Sequence, residues 1–191
     1  MLTEGLGCSP EAGFGIFNQA KNGEVTFIEA ERMLTKLYQD SGKANKSIIK
    51  SIFDKVVVKE EAIELINYLK EKGYFIYLIS GGINIYVESV ANKVGANGFY
   101  ANSSLEFDDK EILEKINYRE NQGEVKVEQV NDLIKKTGID ISQVVFVGDS
   151  ENDIEVFQET GKGIAVNSNN EKLKEVAWKT VDSLLEIKNS L

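Results

Sequence analysis

Val144-Val-Phe-Val-Gly-Asp-Ser-Glu-Asn-Asp153 is the stretch from which the rest of the chain is best read. A short, wholly apolar run that breaks at a glycine predicts a strand buried on both faces, as in a parallel sheet covered by helices. The helical pattern that follows, Asp153 to Thr160, places Asp149 at the strand's carboxyl end and Asp153 at a helix start. Two carboxylates four residues apart across such a loop can share a hard divalent cation. The same residues also suit plainer work, Asp149 as a helix N-cap and Asp153 as a partner of the helix dipole. Capping alone leaves two acids and the amide of Asn152 behind an apolar strand unexplained.

The pattern repeats outward. Glu60 to Lys72 carries a helix-period stripe (Ala62, Ile63, Leu65, Ile66, Leu69) closed by Gly73, and Tyr74 to Ile79 is a second apolar run predicting a strand buried on both faces. It ends in Ser80-Gly81-Gly82 ahead of a helix through Val87, Val90 and Val94 that stops at Gly95. A hydroxyl and unhindered backbone N–H groups at a helix N-terminus make a phosphate site, and the same tripeptide also serves as a plain tight turn. Gly98 to Ile112 predicts short strands around the Asp108-Asp109 turn, and Lys126 to Thr137 a helix capped by Gly138. A strand at Gly163 to Val166 and a last helix from Glu171 complete an alternation that argues for a doubly wound parallel α/β sheet, with ligands at the strands' carboxyl ends. Residues 10 to 57 show only helical patterning (Ala12 to Ala20, Phe27 to Tyr38, Ser47 to Lys55), with Pro10 placed to open a helix. They are expected to form a small helical subdomain.

Composition narrows the chemistry. The chain has no histidine among its 191 residues, which removes Ser-His-Asp and Cys-His catalysis and imidazole metal sites together. What remains is carboxylates, lysine, hydroxyls and hard cations with oxygen ligands. A formal charge of −9 with no basic stripe argues against nucleic acid and anionic membranes as partners. No apolar run approaches the roughly 20 residues a spanning helix needs. The single cysteine, Cys8, cannot form an internal disulfide, and no secretory pattern follows Met1, so a cytoplasmic location is expected.

Ile79-Ser80-Gly81-Gly82, Lys126 and Gly148-Asp149-Ser150-Glu151-Asn152-Asp153 resemble, in order and spacing, the second, third and fourth motifs of the haloacid-dehalogenase-like (HAD) phosphatases. Ala101 to Asp109 and Asn22 to Ala30 are similar to the inter-motif strand pair and a cap stretch of the phosphoserine-phosphatase branch. The resemblance implies a HAD-like core over residues 58 to 191, a helical cap over 10 to 57, and a remnant loop over 1 to 9. It implies Mg²⁺ as cofactor, a small phosphorylated metabolite as substrate, and phosphomonoester hydrolysis. By resemblance, Ser80, Gly81, Lys126 and Asn152 bind phosphate, Lys126 also serves catalysis, and Asp149 and Asp153 serve the metal. One part of the family pattern is absent. Met1-Leu2-Thr3-Glu4 fits the residues just after the family's first motif, so its strand and both Asp-x-Asp acids would lie before residue 1. The chain as given is therefore expected to be inactive, as a truncated phosphatase, a phosphate-binding regulatory pseudoenzyme, or a protein whose sheet is completed by another chain. The sheet edge left unpaired would favour homo-oligomers.

Overall fold

The structure, a computed structural model, describes residues 1–191. Four helices come first: α1 (Leu2–Gly5), α2 (Pro10–Lys21), α3 (Phe27–Asp40) and α4 (Lys46–Phe53). Each of the last three starts on a side chain that can accept a backbone N–H: Ser9, Thr26 and Asn45. Thr26 and Glu29 form a reciprocal capping box, and Pro10 opens α2 as expected. The alternating part follows: α5 (Glu60–Glu71), β1 (Tyr77–Ile83), α6 (Asn84–Val94), β2 (Gly98–Phe107), β3 (Leu113–Tyr118), α7 (Gln122–Thr137), β4 (Phe146–Gly148), α8 (Ile154–Thr160), β5 (Gly163–Val166), α9 (Glu171–Val176) and β6 (Lys179–Val181). Gly73, Gly95, Gly138 and Gly161 end their helices with positive φ, the conformation that glycine adopts without strain. No helix is long and apolar enough to cross a membrane.

The α/β class and the strand–helix alternation are as expected, but the strands form two sheets of three, in the orders β1-β2-β3 and β4-β5-β6. The second is wholly parallel, and β2 and β3 form an antiparallel hairpin. β1 and β4 are each an end strand, which corrects the expectation that both are buried on two faces. Tyr74 and Phe75 lie outside β1 and are exposed, no residue of β1 is fully buried, and Val147 in β4 is 38% exposed. An end strand lacks side chains on one flank to cover it. The strand buried in this way is instead β5, expected only as a strand, where Gly163, Ile164 and Ala165 are all buried. Ala165 packs with Val130, Phe146, Val156, Phe157 and Leu173. Its neighbour Ile164 packs with Leu65, Leu69, Val181 and Ile187. The period-two alternation of a strand thus gives each sheet face its own apolar layer.

By packing, the chain divides differently from the expected 57/58 boundary. One unit is residues 1–57 with 80–93 and 99–120, and the other is 58–79, 94–98 and 121–191. In the first unit Leu2 and Leu6 are buried with Ile49, Phe53, Leu105 and Leu113, so the stretch expected as a remnant loop over 1–9 contains a short helix, Leu2–Gly5, packed on the core. Helix α3 joins the β2–β3 hairpin to this unit. At i, i+4 and i+8 it presents Glu31, Thr35 and Gln39 to the outer edge of β3. The Glu31 carboxylate accepts the Tyr118 N–H, the Thr35 hydroxyl accepts the Ile116 N–H at 3.2 Å, and Gln39 Nε2 donates to the Leu113 carbonyl at 2.7 Å. A helix face thus stands in for the missing neighbour of an edge strand and covers backbone groups that would otherwise template pairing with another chain.

Thr35 is buried, and its hydroxyl also donates to the Glu31 carbonyl at 2.7 Å. Thr35→Val keeps the shape and strands the Ile116 N–H, at a cost of about 1–3 kcal/mol by urea denaturation. Thr35→Ser retains the bond and is expected to fall within about 1 kcal/mol of the parent.

Candidate active site

In the second unit, β4 delivers the chain into a tight loop through Gly148. A Cβ on Gly148 would stand 2.4 Å from Asp153 Cγ, so a residue without a side chain is needed for the loop to fold back over the strand end. A single 3₁₀ turn, Glu151–Asp153, then feeds α8.

Asp153 is 2% exposed and both of its carboxylate oxygens are engaged. Oδ2 accepts the backbone N–H groups of Asp149 (3.1 Å) and Ser150 (3.0 Å) and the Ser150 hydroxyl (3.1 Å). Oδ1 meets the Lys126 ammonium at 2.5 Å. Lys126 itself is 8% exposed, in the second turn of α7, with its aliphatic stem inside the protein. A charge buried this far from water persists only when paired and hydrogen-bonded, and each partner here supplies that for the other. The close approach of α7 and α8 supports the pair. A Cβ on Gly123, one turn before Lys126, would lie 2.2 Å from the Glu155 carboxylate of α8.

Asp149 does the opposite. It is exposed, and its carboxylate has no protein partner; Asn152 beside it is exposed too. The four-residue spacing that suggested a matched pair of cation ligands therefore resolves into two roles, one acid turned inward to organise the loop and one left facing solvent. No group of three or more Asp, Glu, His or Cys side chains is arranged to hold a metal.

Ser80 and Gly81 lie in the first unit. They do not open a helix as expected, because β1 continues through them to Ile83 and α6 starts only at Asn84. Pairing with β2 in the sheet extends the strand: the Ser103 hydroxyl donates to the Gly81 carbonyl at 3.1 Å. The Ser80 hydroxyl accepts the Gly82 N–H at 3.1 Å. The structure thus joins Lys126, Asp153 and the Asp149 peptide in one network and puts the serine-glycine element in the other unit. One participant had no motif to announce it. Ser168, buried in the loop after β5, donates its hydroxyl to the Asp149 carbonyl at 2.7 Å. An isolated serine in an Asn-rich loop carries no periodic or spacing signal.

Residues 8–161 match the model of the haloacid dehalogenase-like hydrolases. A phosphoserine phosphatase from Archaeoglobus fulgidus is 30% identical over 172 residues, 87% of this chain and 48% of that protein, so the chain spans about half the length of this relative. A phosphoserine phosphatase from Streptococcus thermophilus is 31% identical over 166 residues, 81% of this chain and 73% of that protein. Among solved structures, one described as a phospho-aspartyl intermediate analogue of phosphoserine phosphatase is 27% identical. It covers 100% of this chain and 89% of its own, with a TM-score of 0.68.

Lys126→Met leaves the Asp153 charge buried without its cation and is expected to cost about 3–5 kcal/mol. The melting temperature should fall by roughly 10 °C, read by calorimetry. Gly148→Ala should be destabilising for the same reason, since the added methyl displaces the carboxylate that Lys126 meets.

Proposed function

The chain belongs to the haloacid dehalogenase-like hydrolases, and from that premise we propose that its site handles the phosphate of a small phosphorylated metabolite, a phosphomonoester, together with Mg²⁺. The observation that carries the reading is the division of labour between the two acids. Asp149 stands at a strand's carboxyl end with an unpartnered, exposed carboxylate, and Asp153 is wholly spent on holding the loop that presents it. A magnesium ion suits such a site, because it is commonly held by one or two carboxylates, keeps several of its waters and takes a substrate phosphate oxygen.

When bound, Mg²⁺ would neutralise charge on the phosphoryl oxygens, the main requirement of phosphoryl transfer. Asp149 would hold the ion. Asp153 would act on it through the loop and its waters rather than by direct ligation, since its oxygens are occupied. Lys126 would bring fixed positive charge to the phosphate side, although part of that charge is already answered by Asp153. Asn152 has an exposed amide free to reach substrate. The hydroxyl of Ser80 and the backbone of Gly81 are assigned to phosphate oxygens by resemblance. Phosphoserine is the first substrate to try, given the names of the relatives.

Residues 1–191 contain no Asp-x-Asp pair, the arrangement that supplies nucleophile and general acid/base in the resembled family. This specific gap favours a second reading, in which this stretch binds a phosphate or phosphometabolite without turning it over. Both readings share the site and separate on hydrolysis.

Inorganic phosphate with Mg²⁺, at about ten times its dissociation constant, is expected to raise the melting temperature by roughly 4 °C. Asp149→Asn should remove the Mg²⁺ dependence of that shift, and Ser80→Ala should weaken the phosphate response. Hydrolysis of phosphoserine or an aryl phosphate by the 191-residue chain is expected to be at background. Absence of any shift with phosphate and Mg²⁺ contradicts the proposal, and rapid turnover contradicts the binding-only reading.

A further inference from the structure

The peptide groups on both sides of Asp149 are tied down, and the second is held from two directions: its Ser150 N–H donates to Asp153 Oδ2 at 3.0 Å, and its carbonyl is met from outside the loop. The Asp149 N–H donates to Asp153 Oδ2 at 3.1 Å, and the Asp149 carbonyl accepts the Ser168 hydroxyl at 2.7 Å. Fixing both flanking peptides leaves the Cα–Cβ direction of Asp149 little freedom, while the carboxylate beyond it stays unpartnered. The two N–H ties belong to the loop's own motif. The carbonyl tie comes from a loop that begins after β5, and it is better anchored than a surface serine would be.

Ser168 is 7% exposed, and its hydroxyl both donates to the Asp149 carbonyl and accepts the Asn170 N–H at 3.1 Å. On one side of it, Asn167 is held in the left-handed region (φ 46°), with its N–H bonded to the Val181 carbonyl of β6 at 2.9 Å. On the other, the Asn170 side chain caps α9 by accepting the N–H of Leu173, a fully buried residue, at 3.0 Å. The serine is therefore fastened to both β6 and α9, and it transmits that rigidity to Asp149 through one hydrogen bond.

We propose that Ser168 is a positioning residue for the metal-binding carboxylate, holding the Asp149 backbone so that its side chain is already aimed when a divalent cation arrives. The inference rests on the reading of Asp149 as a cation ligand. Ser168 does not touch the ion. It acts by removing rotations that an untethered Asp149 would have to give up on binding, in the way that groups behind first ligands set metal affinity.

The test is binding of Mn²⁺, as a stand-in for Mg²⁺, to the 191-residue chain, counted from the loss of the free-ion electron paramagnetic resonance signal and paired with melting temperatures. Ser168→Cys keeps the volume and replaces a strong donor with a weak one. It should weaken Mn²⁺ binding about tenfold with the fold retained. Ser168→Thr keeps the hydroxyl and should bind within about threefold of the parent, and Asp149→Asn should abolish binding. Asn170→Ala removes the α9 cap and loosens one of the two fastenings of Ser168 while keeping the hydroxyl, so it should lower the melting temperature and weaken Mn²⁺ binding by less than Ser168→Cys does. Equal affinity for Ser168→Cys and the parent overturns the positioning role, as does a loss no larger than that of Asn170→Ala. A folded parent that holds no Mn²⁺, or one whose binding survives Asp149→Asn, overturns the cation reading itself and this inference with it.

Discussion

A lysine and an aspartate closed off from water at 2.5 Å set the terms for the second unit of this protein. Neither side chain can be buried alone, because removing a full charge from water costs several kcal/mol that only a partner and further hydrogen bonds offset. The surrounding sequence supplies those bonds. Gly148 clears the space the Asp153 carboxylate occupies, the backbone N–H groups of Asp149 and Ser150 point into it, and Gly123 lets α7 come close enough to α8 for Lys126 to reach. The pair links the third and fourth motif-like segments through a contact between side chains 27 residues apart in sequence.

From that constraint comes the asymmetry on which the proposed function rests. Because Asp153 is engaged through one oxygen by the loop's own donors and through the other by Lys126, Asp149 is left as the acid whose carboxylate has no protein partner, in a loop already held by hydrogen bonds. Preorganised charge is what phosphoryl chemistry rewards, since the protein has little covalent work to do and much positioning. Ser168 extends the same logic to the far side of the Asp149 peptide. The first unit shows a related economy, with one polar face of α3 satisfying the edge of β3 and joining the hairpin to the helices in the process.

Much of the fold was legible because it depends on local signals. The apolar run and turn residues give β5 to the residue, Gly138 ends α7 where the pattern does, and the helical pattern from Phe27 starts where α3 does. What was not legible depends on who the neighbours are. A run such as Tyr74 to Ile79 reads the same whether a strand is central or terminal, so the exposure of Phe75 and the extension of β1 through Ser80-Gly81-Gly82 had no local sign. The division into units likewise follows from α3 reaching β3, a pairing of side chains with backbone that no periodicity reports. At the site, the spacing of Asp149 and Asp153 singled out both acids. It could not reveal that one is consumed by the loop's own N–H groups, because the choice is made by the backbone turn and by Lys126. Ser168 was invisible for the same reason, its partner being a carbonyl.

The most direct test is a crystal structure of the 191-residue chain grown with Mg²⁺ and phosphate. The account predicts an ion about 2.1 Å from a carboxylate oxygen of Asp149, with Asp153 still bonded to Lys126 and to the Asp149 and Ser150 N–H groups. An ion ligated directly by Asp153, with Lys126 displaced from it, would contradict the account, as would an ordered magnesium site that leaves Asp149 untouched.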